Sequence, residues 1–188
     1  MNNPIETPAY VPIDTSDKEN TEDISNINLD EFEFKDPFVN KNFKGDGVGG
    51  LEIVKCNFTT DIEINMDGVV CTFFKCVDKD SKVKVDLNFT CGCKGLKGDH
   101  YVECALHQFD KFDTFVSTKF PDSKNRRVAK RVGLKNYCIK FVVPSDLFDA
   151  LDEFTKGDVI KTLVFQFSSY YNIDGYNGVC FTLSKLLA

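Results

Sequence analysis

The stretch Lys82-Val-Lys-Val-Asp-Leu-Asn-Phe-Thr-Cys-Gly-Cys93 alternates apolar and polar residues. A β-strand sends successive side chains to opposite faces, so Val83, Val85, Leu87, Phe89, Cys91 and Cys93 share one face. Lys84, Asp86, Asn88 and Thr90 take the other. Upstream, Val69–Val77 is rich in β-branched and aromatic residues, and Asp67-Gly68 before it is a turn pair. Asp78-Lys-Asp-Ser81 reads as the turn joining the two strands. Downstream, Tyr101–Phe109 continues the alternation, with Val102, Cys104 and Leu106 on one face. Tyr137–Val143 is a further strand, ended by Pro144.

One helix is expected. Leu147, Phe148, Leu151 and Phe154 recur at helical spacing after Pro144-Ser145. Ser145 suits the N-cap, Asp146 and Asp149 suit the positive end of the helix dipole, and Gly157 suits the stop. Two last strands follow, Val159–Phe167 and Gly178–Leu187, joined by the Tyr/Asn/Gly-rich loop Ser168–Asn177. The expectation is a mainly β fold. Its element order is that of an OB-like five-stranded Greek-key barrel, with one helix before the last two strands and extra strands and loops.

Charge is unevenly distributed. The 188 residues carry a formal net charge of −6, which by itself argues against a polyanionic ligand. Yet eight basic residues and one acid lie between positions 119 and 140: Lys119, Lys124, Arg126, Arg127, Lys130, Arg131, Lys135 and Lys140, with Asp122. That segment is +7, and the remaining 15 basic and 28 acidic residues make the rest −13. All three arginines fall between 126 and 131. Lys124–Arg131 also has the make-up of a nuclear import signal.

Residues 1–36 hold ten acids and two lysines. Such a segment buries too little apolar surface to offset its ordering entropy, so residues 1–37 are expected to be a mostly disordered acidic tail and 38–188 the folded domain. Leu29, Phe32 and Phe34 stand out among the tail's acids. They either recruit a partner, such as a replication protein, or pack on the domain's edge. The N-terminus lacks the basic and apolar regions of a signal peptide, and no apolar run spans a membrane. An intracellular location is expected, cytoplasmic or, in a eukaryotic host, nuclear. The sequons at Asn57 and Asn88 are then idle.

In a reducing compartment the eight cysteines are thiols. Cys91, Cys93, His100, Cys104 and His107 lie close enough in sequence to supply a zinc site, of which Cys91, Cys93, Cys104 and His107 are the natural four. Core packing is the competing reading, because three of these cysteines fall on inward strand faces and free cysteine behaves as a small hydrophobe. No cofactor is otherwise implied. Gly45-Asp-Gly-Val-Gly-Gly50 lacks the Lys-Ser/Thr of a phosphate loop. No hydrolase or metalloprotease motif is present either, so the chain reads as a non-enzyme.

The terminal region carries a resemblance. Lys156-Gly-Asp-Val-Ile-Lys161, Tyr170-Tyr-Asn172 and Gly175-Tyr-Asn-Gly-Val-Cys-Phe-Thr-Leu183 resemble the last two strands of phage- and virus-type OB-fold single-stranded DNA-binding proteins. It covers about 30 residues, and the acidic segment lies at the other end of the chain from that family's usual tail. The resemblance implies a single-stranded nucleic-acid ligand, DNA ahead of RNA, in a phage or viral replication or recombination system. The residue chemistry agrees, since such a ligand needs cations for phosphates and aromatic faces for bases. The basic cluster supplies the first, and Tyr170, Tyr171 and Tyr176 the second. The alternative is a β-sandwich viral structural or interaction protein with a basic loop.

Overall fold

The computed structural model describes residues 21–40, 51–57, 60–66, 69–79, 82–91, 105–132 and 136–188. The strands are β1 (Thr21–Asp23), β2 (Phe38–Asn40), β3 (Leu51–Lys55), β4 (Asp61–Asn65), β5 (Val69–Lys79), β6 (Lys82–Cys91), β7 (Lys124–Asn125), β8 (Lys130–Val132), β9 (Asn136–Val143), β10 (Val159–Ile160), β11 (Thr162–Ile173) and β12 (Tyr176–Leu187). Among the described residues two helices join them, α1 (Asp110–Lys119) and α2 (Phe148–Leu151). The fold is mainly β, as the alternation requires, and the sheet is mixed and open. Its strands run β1-β4-β11-β12-β9-β6-β5-β10. β3 joins β11 and carries β2 beyond it, while β7 lies on β12 and β8 on β9.

The alternating stretch is β6 as far as Cys91, residues 92–93 lying outside the described residues, and it pairs with β5 in a hairpin, antiparallel from Val69↔Cys91 to Lys79↔Lys82. β6 then pairs with β9 from Val83↔Val143 to Thr90↔Asn136. β11 is the hub. One of its edges pairs with β12, and the other is shared between β4 at Thr162–Gln166 and β3 at Ser169–Asn172. Only Lys161 separates β11 from β10, whose Val159 and Ile160 pair with Thr72 and Cys71 of β5.

The expected loop Ser168–Asn177 is instead strand. β11 runs on to Ile173 and β12 begins at Tyr176, leaving the two-residue turn Asp174-Gly175. Both turn residues have positive φ, 49° and 78°, which matches the right-handed twist of the flanking strands. Asp-Gly meets that demand, because glycine has no Cβ penalty there and aspartate tolerates it.

The expected strand Tyr101–Phe109 is not strand at its described end. Ala105–Phe109 is a 3-10 turn that runs into α1. Leu106, Phe109, Phe112 and Phe115 recur every three residues, Val116 lies four after Phe112, and all five are buried. Asp110 and Asp113 sit in the positive first turn and Lys119 in the negative last one. Pro121 follows, and the chain leaves the helix at Phe120. Residues 101–104 lie outside the described residues. The expected helix after Pro144 is shorter than its pattern, a 3-10 turn at Ser145–Leu147 and the single turn α2. Leu151 is its buried anchor, and Gly157 at φ 97° lies beyond it.

The core is aromatic. Phe165 and Phe181 of the terminal hairpin meet at 4.8 Å between ring centres, and Phe112 of α1 stands edge-on to Phe181 at 4.9 Å. Each such side chain contributes about 1.5–3 kcal/mol by leaving water. Residues 21–36, assigned to the tail by composition, are part of this packing. Ile24, Ile27 and Leu29 are buried, and Phe32 and Phe34 rest on the core. The Phe34 ring lies 5.2 Å from Tyr170 and 5.5 Å from Phe115. Backbone bonds from Lys35 N to Lys55 O and from Asn57 N to Glu33 O, both 2.8 Å, hold the segment down. Composition undervalued five well-spaced apolar residues set among acids. Residues 1–20 lie outside the described residues. Among the described residues no helix is long and apolar enough to cross a membrane.

Candidate nucleic-acid interface

The basic segment is held against the start of β12. β7 pairs in parallel with it, Lys124 opposite Tyr176 and Asn125 opposite Asn177. Lys124 N donates to Gly175 O and Arg126 N to Asn177 O, each at 2.8 Å. Asn177 is fully buried, and a buried amide must find partners. Its Nδ2 donates to the carbonyls of Phe120 and Ser123, and its Oδ1 accepts from Asn125 Nδ2 at 2.8 Å. One side chain thereby fixes the loop between α1 and β7 and so places Arg126.

Arg126 gathers two of the three tyrosines. Its guanidinium carbon lies 4.9 Å from the centre of the Tyr176 ring. It also hydrogen-bonds and attracts the Tyr171 side chain, which opposes the upward push that burial gives the Tyr171 hydroxyl. Tyr176 remains 39% exposed, leaving ring surface for a ligand. Tyr171 shares a rung with Gly178, where a Cβ would come within 2.5 Å of the phenolic oxygen. The missing side chain is what lets the ring lie across β12.

The other cations divide. Arg126, Arg127, Lys130 and Lys140 line one cavity of about 320 Å³, together with Cys138 and Tyr171. Arg127 pairs with Asp110 at 2.9 Å, both side chains well exposed. Next to it, Val128 N donates to the Asp113 carboxylate at 3.0 Å. Burial lifts the Asp113 carboxyl to about 6, against the lowering influence of that hydrogen bond and of Arg127. A second cavity of about 410 Å³ shares Arg126, Lys140 and Tyr171, and adds Leu51, Ile53 and Ile173. Arg131 is exposed on β8, opposite Tyr137. Lys119 stands apart at the end of α1, 5.1 Å over the Phe115 ring. Lys124 is exposed beside Tyr176, and Lys135 lies outside the described residues.

Tyr170 does not join the site. It is 7% exposed and points to the opposite face of β11 from Tyr171, among Phe34, Phe115 and Phe120. Adjacent strand residues cannot both face the groove, so Tyr170 is a core residue. Of the suggested zinc ligands, Cys91 is at the end of β6 and His107 is exposed in the turn before α1. Cys93, His100 and Cys104 lie outside the described residues. Among the described residues no three His, Cys, Asp or Glu side chains group as metal ligands would. Cys56 is buried, and burial pushes its thiol up to about 12, so it remains protonated.

Sequence reasoning missed Ile53, Asn177 and Gly178. A glycine inside a strand pattern marks a close approach, which was the available signal for Gly178. Nothing local tied Ile53 to a site more than 70 residues downstream. No protein-family model, no curated protein and no solved structure matches this chain.

Proposed function

We propose that the chain is a non-enzymatic single-stranded nucleic-acid-binding protein, for DNA ahead of RNA, of a phage or viral replication or recombination system. The observation that carries this reading is the convergence on Arg126. It stacks on exposed Tyr176, bonds Tyr171, and lines one groove with Arg127, Lys130 and Lys140. Aromatic faces beside a cation track are what an unpaired strand requires, since its bases are free to stack and its phosphates need counter-charge.

Strand adjacency supports an OB-like barrel as the frame. Taken in chain order as β5, β6, β9, β10/β11 and β12, the strands neighbour one another first-second-third-fifth-fourth. Before the bend at Lys161 the two-residue strand β10 pairs with β5, a short contact on a sheet that stays open. The third and fifth are parallel, and α2 lies between the third and fourth. This order is compatible with a Greek-key OB barrel in which α2 precedes the last two strands and α1 is an addition.

A salt-titrated binding assay with a homopyrimidine strand beside its duplex tests the reading. With about four phosphates contacted, the log–log salt slope should lie near −3. The single strand should bind more tightly, because duplex bases are already stacked on one another. Equal affinities would reduce the groove to an electrostatic patch, and absence of binding would overturn the proposal.

A further inference from the structure

The groove has two compartments of different chemistry. The one toward β8 is walled by four cations, Arg126, Arg127, Lys130 and Lys140. The one toward β3 is walled mainly by apolar side chains, among them Leu51, Ile53, Val142 and Ile173. Arg126, Lys140 and Tyr171 belong to both walls, so two cations and a phenol stand at the boundary.

Away from its boundary cations Arg126 and Lys140, the second compartment disfavours a phosphodiester, because a charge there would lose its water among apolar groups. A nucleobase is not, because its faces are apolar and its edges ask for few hydrogen bonds. Ser169 in the wall offers a hydroxyl for one of them. The volume, about 410 Å³, lies within the range of about 300–1,000 Å³ found for clefts that enclose small organic molecules. The boundary cations stand where the phosphates flanking an inserted base would pass.

Resting on the single-strand reading above, we infer that the compartment lined by β3, β11, β12 and β9 is a nucleobase pocket. One base of the bound strand leaves the stack and enters past Tyr171, while its flanking phosphates stay on Arg126 and Lys140. The bound strand therefore has a fixed point, whereas stacking on Tyr176 alone would let it slide.

Ile53→Trp in the full chain tests this by filling the pocket from β3 without changing charge. Affinity for a short oligothymidylate should fall about fivefold or more. The salt slope, and the affinity for a sugar–phosphate strand without bases, should not change. A second measurement needs no variant. Strands carrying 5-iodouracil are photocrosslinked to the unaltered protein and the adducts located by mass spectrometry. Adducts on Tyr171 or Cys180 are expected, and adducts confined to Tyr176 would overturn the pocket. The two levels fail differently. Salt-dependent strand binding that ignores a folded Ile53→Trp variant sinks the pocket alone. No strand binding at any salt sinks the single-strand reading and the pocket with it.

Discussion

Tyr171 lies across Gly178, its partner on the same β11–β12 rung, so closely that a methyl group on Gly178 would come within 2.5 Å of the phenolic oxygen. Gly178→Ala should therefore swing the ring out of the groove. The obstructed atoms are the far end of a side chain, and alanine is the better strand residue, so stability should change by less than about 1 kcal/mol. Strand binding should weaken by about 1–3 kcal/mol, the worth of one stacked base. A Gly178→Ala protein that melts normally and binds normally would show that the position of Tyr171 is irrelevant to the ligand.

The two adjacent tyrosines should separate cleanly. Tyr170→Ala removes a core ring and should cost about 3–5 kcal/mol in denaturant unfolding. Tyr171→Ala should cost far less stability and act on strand affinity instead. The reverse assignment in paired melting and binding measurements would contradict the face each occupies.

Among the cations, position should outweigh charge. Lys140→Ala and Lys130→Ala should each reduce the salt slope by about 0.7, one phosphate contact. Lys119→Ala, at the end of α1 over Phe115, should leave the slope unchanged. Equal effects from all three would point to long-range attraction in place of the groove.

Asp113 introduces a pH dependence of known sign. Burial raises its carboxyl from the ordinary 3.8 to about 6, so over that interval the folded chain holds a proton the unfolded chain has lost. Its contribution to stability is full below about pH 4 and is lost as pH rises to about 6. Asp113→Asn cannot lose that proton, so its urea midpoint relative to the parent should climb between pH 4 and 7. A constant difference would mean that the carboxyl titrates as if exposed.

Phe34→Ala tests whether the acidic segment belongs to the body. Its ring is half-buried against Phe115, Phe167 and Tyr170, and its loss should cost about 2–3 kcal/mol. An unchanged melting curve would detach residues 21–36 from the core.

What could be read in advance followed local signals. The alternation of Lys82–Cys91 is a strand because nothing competes with a period of two there, but Asp78 and Lys79 of the expected turn are already strand, and residues 80–81 lie outside the described residues. α1 was missed because Leu106 completes an alternating run from Val102, while its helical partners Phe109, Phe112 and Phe115 lie further on. The Asp174-Gly175 turn was lost in a loop because the Tyr and Asn residues around it are common in both settings. The cluster Arg126–Lys140 was legible as charge. That Arg126 would meet Tyr171 was not, since the meeting depends on Asn177 drawing a remote loop onto β12.

The double use of β11's edge has a consequence during synthesis. Ile62 and Ile64 of β4 are fully buried, and their neighbours across the ladder are Phe165 and Leu163, about a hundred residues later in the chain. At about 5–20 residues per second, a ribosome leaves β4 without that partner for roughly 5–20 s. β3 waits equally long for Ser169–Asn172. β1 can pair early with one edge of β4 and β2 with one edge of β3, but the other edge of both, and the apolar face of β4, stay uncovered until the last hairpin is made. It is in this interval, before the groove exists, that chaperones have most reason to bind it.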